Sequence, residues 1–285
     1  MTPIISAMNP LLARLHPYPF ERLRHLFADV TPPSSYAPIS LGIGEPRHAT
    51  PPLIIDALTR HTDELAAYPA TAGSLPFRQA CANWVRRRYG VDIQPETQVL
   101  PVNGSREALF AFAQTVLDGH PDSVVVSPNP FYQIYEGAAL LGQAKVHYVP
   151  SEPSKNFAVD WDSVPAHVWQ HTRLLFVCSP GNPTGAVMPL SEWKKLFELS
   201  DQHGFVIASD ECYSEIYFGD NPPLGGLQAA SQLGRSDFKR LMCFTSLSKR
   251  SNVPGLRSGF VAGDAEWIAP FLRYRTYHGS AMGGM

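Results

Sequence analysis

Charge of one sign is what this chain most plainly lacks: its formal net charge is −2 over 285 residues. That balance leaves no electrostatic footprint for nucleic acid. Cysteine is scarce too. Cys81, Cys178, Cys212 and Cys243 are the whole set, and no two stand in a C-x-x-C pair. Such spacing argues against a disulfide framework or a zinc site and for a reducing compartment. His167 and His171 are four residues apart, but the H-E-x-x-H pattern that would make a metal pair is missing. No apolar run reaches membrane-spanning length and the first twenty residues hold no signal-peptide core, so the expectation is a cytoplasmic protein with no membrane partner. A G-x-x-x-x-G-K-[ST] phosphate loop is absent, and "GIGEPR" fails the G-x-G-x-x-G dinucleotide pattern. Internal repeats and low-complexity segments are absent as well.

What is present is enough apolar material for a large core. Apolar residues make up 44% of the chain and charged residues only 17%, which excludes global disorder. The first forty residues read as an arm, with an amphipathic stretch from Phe20 to Val30 and a linker at "TPPSSYAP". Two helical segments follow, "TPPLIIDALTRHTDELAAY" and "LPFRQACANWVRRRYG", the second ended by Gly90. From there short apolar runs alternate with helical ones: "TQVLPVNG", "SVVVSPNP", "AKVHYVP", "TRLLFVC", "FVIASD", "RLMCFTS" and "GLRSGFVAGD" read as strands. Runs of that kind separated by helices indicate a mostly parallel sheet covered on both faces, an α/β domain over roughly residues 45–275.

Several polar residues fall at or just after strand ends, where open α/β sheets bind ligands. Asp210 closes an apolar strand, as a cap or as a carboxylate set to pair with a buried cation. Ser105 and Arg106 follow Gly104 at a strand-to-helix junction, a plain N-cap or an anion site. Lys249 and Arg257 lie in "SLSKRSNVPGLR", among the apolar residues Leu247, Val253 and Leu256. They are solvated cations or a packed basic loop with an arginine that grips phosphate. Tyr132 is a core aromatic or a stacking platform. Asn182 projects from the tight turn "SPGNPTG".

Taken together, NPTG at 182–185, D-x-x-Y at 210–213, S-x-S-K at 246–249 and Arg257 resemble the fold-type I pyridoxal-phosphate enzymes, in their class I/II aminotransferase branch. The resemblance runs from about residue 39 to 275. It implies the large domain of that fold, a mostly parallel sheet sandwiched by helices, preceded by an N-terminal arm. It implies that Lys249 links covalently to pyridoxal 5'-phosphate, Asp210 pairs with the ring nitrogen, and Asn182 and Tyr213 bond the ring O3′. Tyr132 would stack on the ring. Ser105, Arg106, Ser246 and Arg257 would hold the phosphate. Tyr68 matches the tyrosine that reaches the neighbouring subunit's phosphate, which implies a homodimer with shared sites. Gly44 matches the loop over the substrate, where Asn182 also contributes.

A narrower similarity, carried by "YPATAGSLPFRQA", "NPFYQIYEGAALL", "SDECYSEIYF" and "SLSKRSNVPGLRSGFVAGD", is to the succinyldiaminopimelate aminotransferases of proteobacteria. It implies amino transfer from glutamate to N-succinyl-2-amino-6-oxopimelate in lysine and diaminopimelate synthesis. Both substrates are acidic, and Arg273 and Arg275 are candidate cationic contacts, or simply two exposed helix arginines. The implied domain plan is an arm with part of a small domain at 1–44, the large cofactor domain at 45–275, and the start of a C-terminal small domain at 276–285. The family continues into that small domain, which carries the arginine for the substrate α-carboxylate. The sequence here stops at "GGM", so the expectation is that the C-terminal small domain is absent. The cofactor residues do not separate amino transfer from elimination or synthase chemistry, or from a fragment that only binds the cofactor.

Overall fold

A strand buried at every residue needs cover on both faces, and four such strands lie side by side in this molecule. The computed structural model describes residues 8–285. Its strands are β1 (Val99–Val102), β2 (Val124–Asn129), β3 (Lys145–Glu152), β4 (Ala158–Val159), β5 (Thr172–Cys178), β6 (Val206–Asp210), β7 (Leu241–Ser246) and β8 (Gly259–Gly263). They form one sheet in the order β1-β8-β7-β6-β5-β2-β3-β4. Every residue of β1, β6, β7 and β8 is buried.

The α-helices are α1 (Pro19–Leu26), α2 (Pro52–Arg60), α3 (Leu75–Tyr89), α4 (Ser105–Val116), α5 (Ile134–Leu141), α6 (Ala166–His171), α7 (Leu190–His203), α8 (Gly226–Gln232), α9 (Leu247–Arg250) and α10 (Ala265–His278). Their ends follow local chemistry. Ser74 caps α3 by accepting from the Phe77 N–H at 3.3 Å, and Gly90 ends it in the left-handed conformation. Asp264 caps α10 in the same way and Gly279 ends it.

Alternation along the strands splits the core in two. Leu175, Val177, Ile207, Leu241 and Cys243 face α3, α6, α7 and α8, around Trp193 and Trp169. Leu174, Phe176, Val206, Ala208, Met242 and Phe244 face α4, α5 and α10, around Phe112 and Phe271. This is the period-two pattern of a two-sided sheet.

The chain divides into two compact units, one up to Glu45 and one from Pro46 onward. In the first, the amphipathic stretch read as Phe20–Val30 is helical only over Pro19–Leu26, because Phe27 leaves the helical region at φ −103° and ψ 10°. Gly44 belongs to this unit. The second unit contains the whole sheet.

Strand direction sets the site. The pairs β2–β3, β2–β5, β5–β6 and β6–β7 are parallel. Strand β8 runs antiparallel to both β7 and β1. Two reversals return β1 to the direction of β7, so the carboxyl ends of β1, β2, β5, β6 and β7 meet on one edge. The same reversal brings the amino end of β8, and Arg257 just before it, to that edge.

Candidate cofactor site

Five strand ends and one strand start therefore supply the residues expected from the sequence. Ser105 follows β1, Tyr132 follows β2, Asn182 follows β5, Asp210 ends β6, Ser246 ends β7 with Lys249 after it, and Arg257 precedes β8.

At the end expected to hold the phosphate, Ser105 is not the N-cap that its position suggests. Gly104 is the cap, at φ +90°, and Ser105 is the first helical residue. The reason is steric. A Cβ on Gly104 would stand 2.3 Å from Arg257 Nη2, so only glycine lets the arginine close over the start of α4. Arg257 Nη2 donates to the Asn103 carbonyl at 3.3 Å, and Nη1 donates to the Pro254 carbonyl at 2.9 Å and the Ser248 hydroxyl at 3.4 Å. The Ser105 hydroxyl lies 2.6 Å from the Cys212 sulfur. Ser246 caps α9, accepting from the Ser248 N–H at 3.1 Å. A twelve-residue helix thus presents its positive end beside an arginine and three serine hydroxyls.

At the end expected to hold the ring, Asp210 is buried and accepts from the Tyr135 hydroxyl at 2.8 Å through Oδ2 and from the Cys212 N–H at 3.2 Å through Oδ1. Burial pushes its carboxyl above the ordinary range, and the bonds from Tyr135 and Cys212 pull it back. Among the described residues no salt bridge to Asp210 is formed, and its two hydrogen bonds come from Tyr135 and Cys212.

Tyr213, three residues on, is half-buried; its phenol is pushed up to about 12, first by burial and then by Cys212 and Asp210. Lys249 Nζ lies 6.0 Å from the centre of the Tyr213 ring. Tyr132 is held by Arg106, whose Nε donates to its hydroxyl and whose guanidinium carbon is 5.6 Å from its ring centre. Arg106 thus spends part of its reach on Tyr132, although the sequence assigns it to the phosphate. Asn182 is half-buried and lines a pocket of about 170 Å³ that Tyr135 and Cys178 share.

Two expected residues do not come from the strand ends. Tyr68 is fully exposed. Gly44 lies in the first unit. A correction applies to the arginine pair of α10. Arg273 is exposed as expected, but Arg275 is completely buried. Its Nη1 reaches both Glu107 carboxylate oxygens at 2.7 and 2.8 Å and Nη2 reaches the Ser280 carbonyl at 2.6 Å. The ion pair ties α10 to α4 and leaves Arg275 unable to meet a substrate.

Sequence reasoning missed Tyr135 and Cys212. A signal for Tyr135 existed: "FYQIY" sets a second tyrosine three residues after Tyr132, at the start of α5.

The donor set fits pyridoxal phosphate. It offers a helix terminus, a glycine-gated arginine and hydroxyls for a phosphate, a buried carboxylate for a cationic ring nitrogen, aromatic rings, and a lysine beside Tyr213. Among the described residues no group of three metal-ligating side chains gathers, and no helix is long and apolar enough to cross a membrane.

Comparison with known proteins agrees. The family described as aminotransferase class I and II matches residues 37–276. The crystal structure of an aminotransferase from Neisseria meningitidis Z2491 is 57% identical, with a TM-score of 0.93 over 97% of this chain and 70% of that one. The N-succinyldiaminopimelate aminotransferase of Mycobacterium tuberculosis is 31% identical, with a TM-score of 0.82 over 98% of this chain and 69% of the other. The LL-diaminopimelate aminotransferase of Nitratidesulfovibrio vulgaris (strain DSM 19637 / Miyazaki F) is 34% identical over 90% of this chain, which spans 65% of that relative's length. The glycine-gated arginine at the start of α4, the buried carboxylate and the lysine after β7 thus stand in a chain that belongs to the class I and II aminotransferases, a pyridoxal-phosphate-dependent family.

Proposed function

We propose that this chain binds pyridoxal phosphate and takes part in amino transfer from glutamate to N-succinyl-2-amino-6-oxopimelate. The observation that carries the reading is the convergence of Lys249, Asp210 and the Ser105–Arg257 cradle on one sheet edge. Relatives named for LL-diaminopimelate and for N-succinyldiaminopimelate support a long amino dicarboxylate as the substrate class.

When bound, pyridoxal phosphate supplies an electron sink for charge developing at a substrate α-carbon. The residues of the chain divide the remaining work. Arg257 and the α4 terminus, with Ser105 and Ser246, hold the phosphate. Asp210 places a negative charge opposite the ring nitrogen. Tyr132 would cover a ring face, and Asn182 and Tyr213 would bond O3′. Lys249 Nζ is the covalent attachment point and, when released, the general base and acid.

A second copy of the chain is part of this reading. Tyr68 projects fully into solvent, and Leu53, Ile55, Leu65 and Leu75, in the segments before and after it in sequence, are 74%, 50%, 69% and 47% exposed. Exposed apolar side chains of this kind are what a partner surface would cover.

The test is 2-oxoglutarate release from glutamate by purified protein, with succinylated and free keto acceptors compared and the mass in solution measured by sedimentation. A dimer that favours the succinylated acceptor is expected. Preference for the free acceptor would move the substrate to the unsuccinylated diaminopimelate series. Ammonia release without 2-oxoglutarate would replace amino transfer with elimination.

A further inference from the structure

Asp210 is the residue on which cofactor binding and electronic tuning turn, yet its surroundings are almost wholly neutral. Strand β6 delivers it to a site faced by Tyr135 from α5, Cys178 from the end of β5, and Cys212 and Tyr213 from the chain after β6. Of these, only Tyr135 reaches it with a side-chain hydroxyl, at 2.8 Å.

Tyr135 is itself held from two sides. Its ring stacks on Phe176 with centroids 4.5 Å apart and planes 10° apart. It meets Tyr132 edge to face at 5.8 Å. It is fully buried, and burial followed by the Asp210 charge pushes its phenol well above the usual range. A phenol so placed stays neutral, so it can only donate to the carboxylate. One side chain thus touches both the carboxylate assigned to the ring nitrogen and the aromatic assigned to the ring face.

We propose that Tyr135 is a positioning residue: its hydroxyl fixes Asp210 Oδ2 and keeps the carboxylate ionised toward the ring nitrogen, while its ring edge orients Tyr132. The inference rests on the pyridoxal-phosphate reading above. The other carboxylate oxygen, Oδ1, accepts from the Cys212 N–H at 3.2 Å. Phe176 provides the internal control, since it packs on Tyr135 without a polar atom to offer.

The experiment uses the full chain loaded with pyridoxal phosphate and follows the visible band of the Lys249-bound cofactor against pH. In Tyr135→Phe the ring and its stacking remain, but the carboxylate loses a donor and becomes more basic. It then draws the proton from the ring nitrogen, and the linking nitrogen, facing a less electron-poor ring, holds its own proton to higher pH. The band midpoint is expected to rise by about one pH unit, with cofactor affinity falling roughly ten-fold, the scale of one hydrogen bond to a charged group. Phe176→Leu, which removes only packing, is expected to leave the midpoint in place. A 3-fluorotyrosine at position 135, near-isosteric and a stronger donor, is expected to lower the midpoint, and it answers the question even where the phenylalanine variant folds poorly. An unmoved midpoint in both Tyr135 variants would overturn the proposal while the cofactor reading stands. Wild-type protein that acquires no visible band would overturn both together.

Discussion

At the scale of single residues, Asp210 shows how this site is built at the expense of the fold. The carboxylate is buried at the end of β6 with its ionisable group raised by burial. An acid whose pKa is higher folded than unfolded binds more protons when folded. Its stabilising contribution is therefore present below the unfolded value of about 4 and is lost as pH rises through the folded value. Asp210→Asn has no such slope. In urea unfolding of cofactor-free protein, the variant is expected to match wild type near pH 4 and to be more stable by about 1 kcal/mol near neutrality. A difference independent of pH would mean that the carboxylate is not uncomfortable where it lies. With pyridoxal phosphate present the order should reverse, because the ring nitrogen gives the wild-type carboxylate its cation. Stability surrendered at a binding site and recovered by the ligand is a common trade.

At the scale of elements, the junction of β1 and α4 concentrates the phosphate chemistry. Gly104 at φ +90° lets the Arg257 guanidinium pass within 2.3 Å of where a Cβ would be. Gly104→Ala should strain the backbone and push the arginine outward. The expected outcome is a loss of about 1 kcal/mol in stability and, as Arg257 leaves its charge-assisted contact, a pyridoxal-phosphate Kd raised roughly ten-fold, read by fluorescence titration. Unchanged affinity would show that Arg257 is not the phosphate's grip. This junction also marks the limit of local reading. Serine after a strand suggests a cap, but the left-handed glycine takes that role and frees the serine. The missing information was the approach of Arg257, about 150 residues away in sequence. Arg275 fails for a related reason. Two arginines spaced i and i+2 on a helix read alike, and only the packing of α10 on α4 buries one against Glu107 and leaves the other in water.

At the scale of the whole molecule, the alternation of apolar runs and helical segments was enough to read a mostly parallel, two-sided sheet. It was also enough to place Ser105, Asn182, Asp210 and Lys249 on strand ends. The direction of β8 was not legible, since an apolar five-residue run carries no sign of parallel or antiparallel pairing. That direction is what brings Arg257 to the same edge as the rest. Tyr135 escaped notice because a tyrosine in an apolar helix resembles core packing until its partner is known. The account's central claim is that these convergent residues hold pyridoxal phosphate with Lys249 as its covalent partner. The most direct measurement is peptide mass spectrometry after incubating the protein with pyridoxal phosphate and reducing the linkage with borohydride. The account predicts a single stoichiometric adduct on Lys249, lost in Lys249→Ala. Labelling spread over surface lysines, or an adduct that persists in that variant, would contradict it.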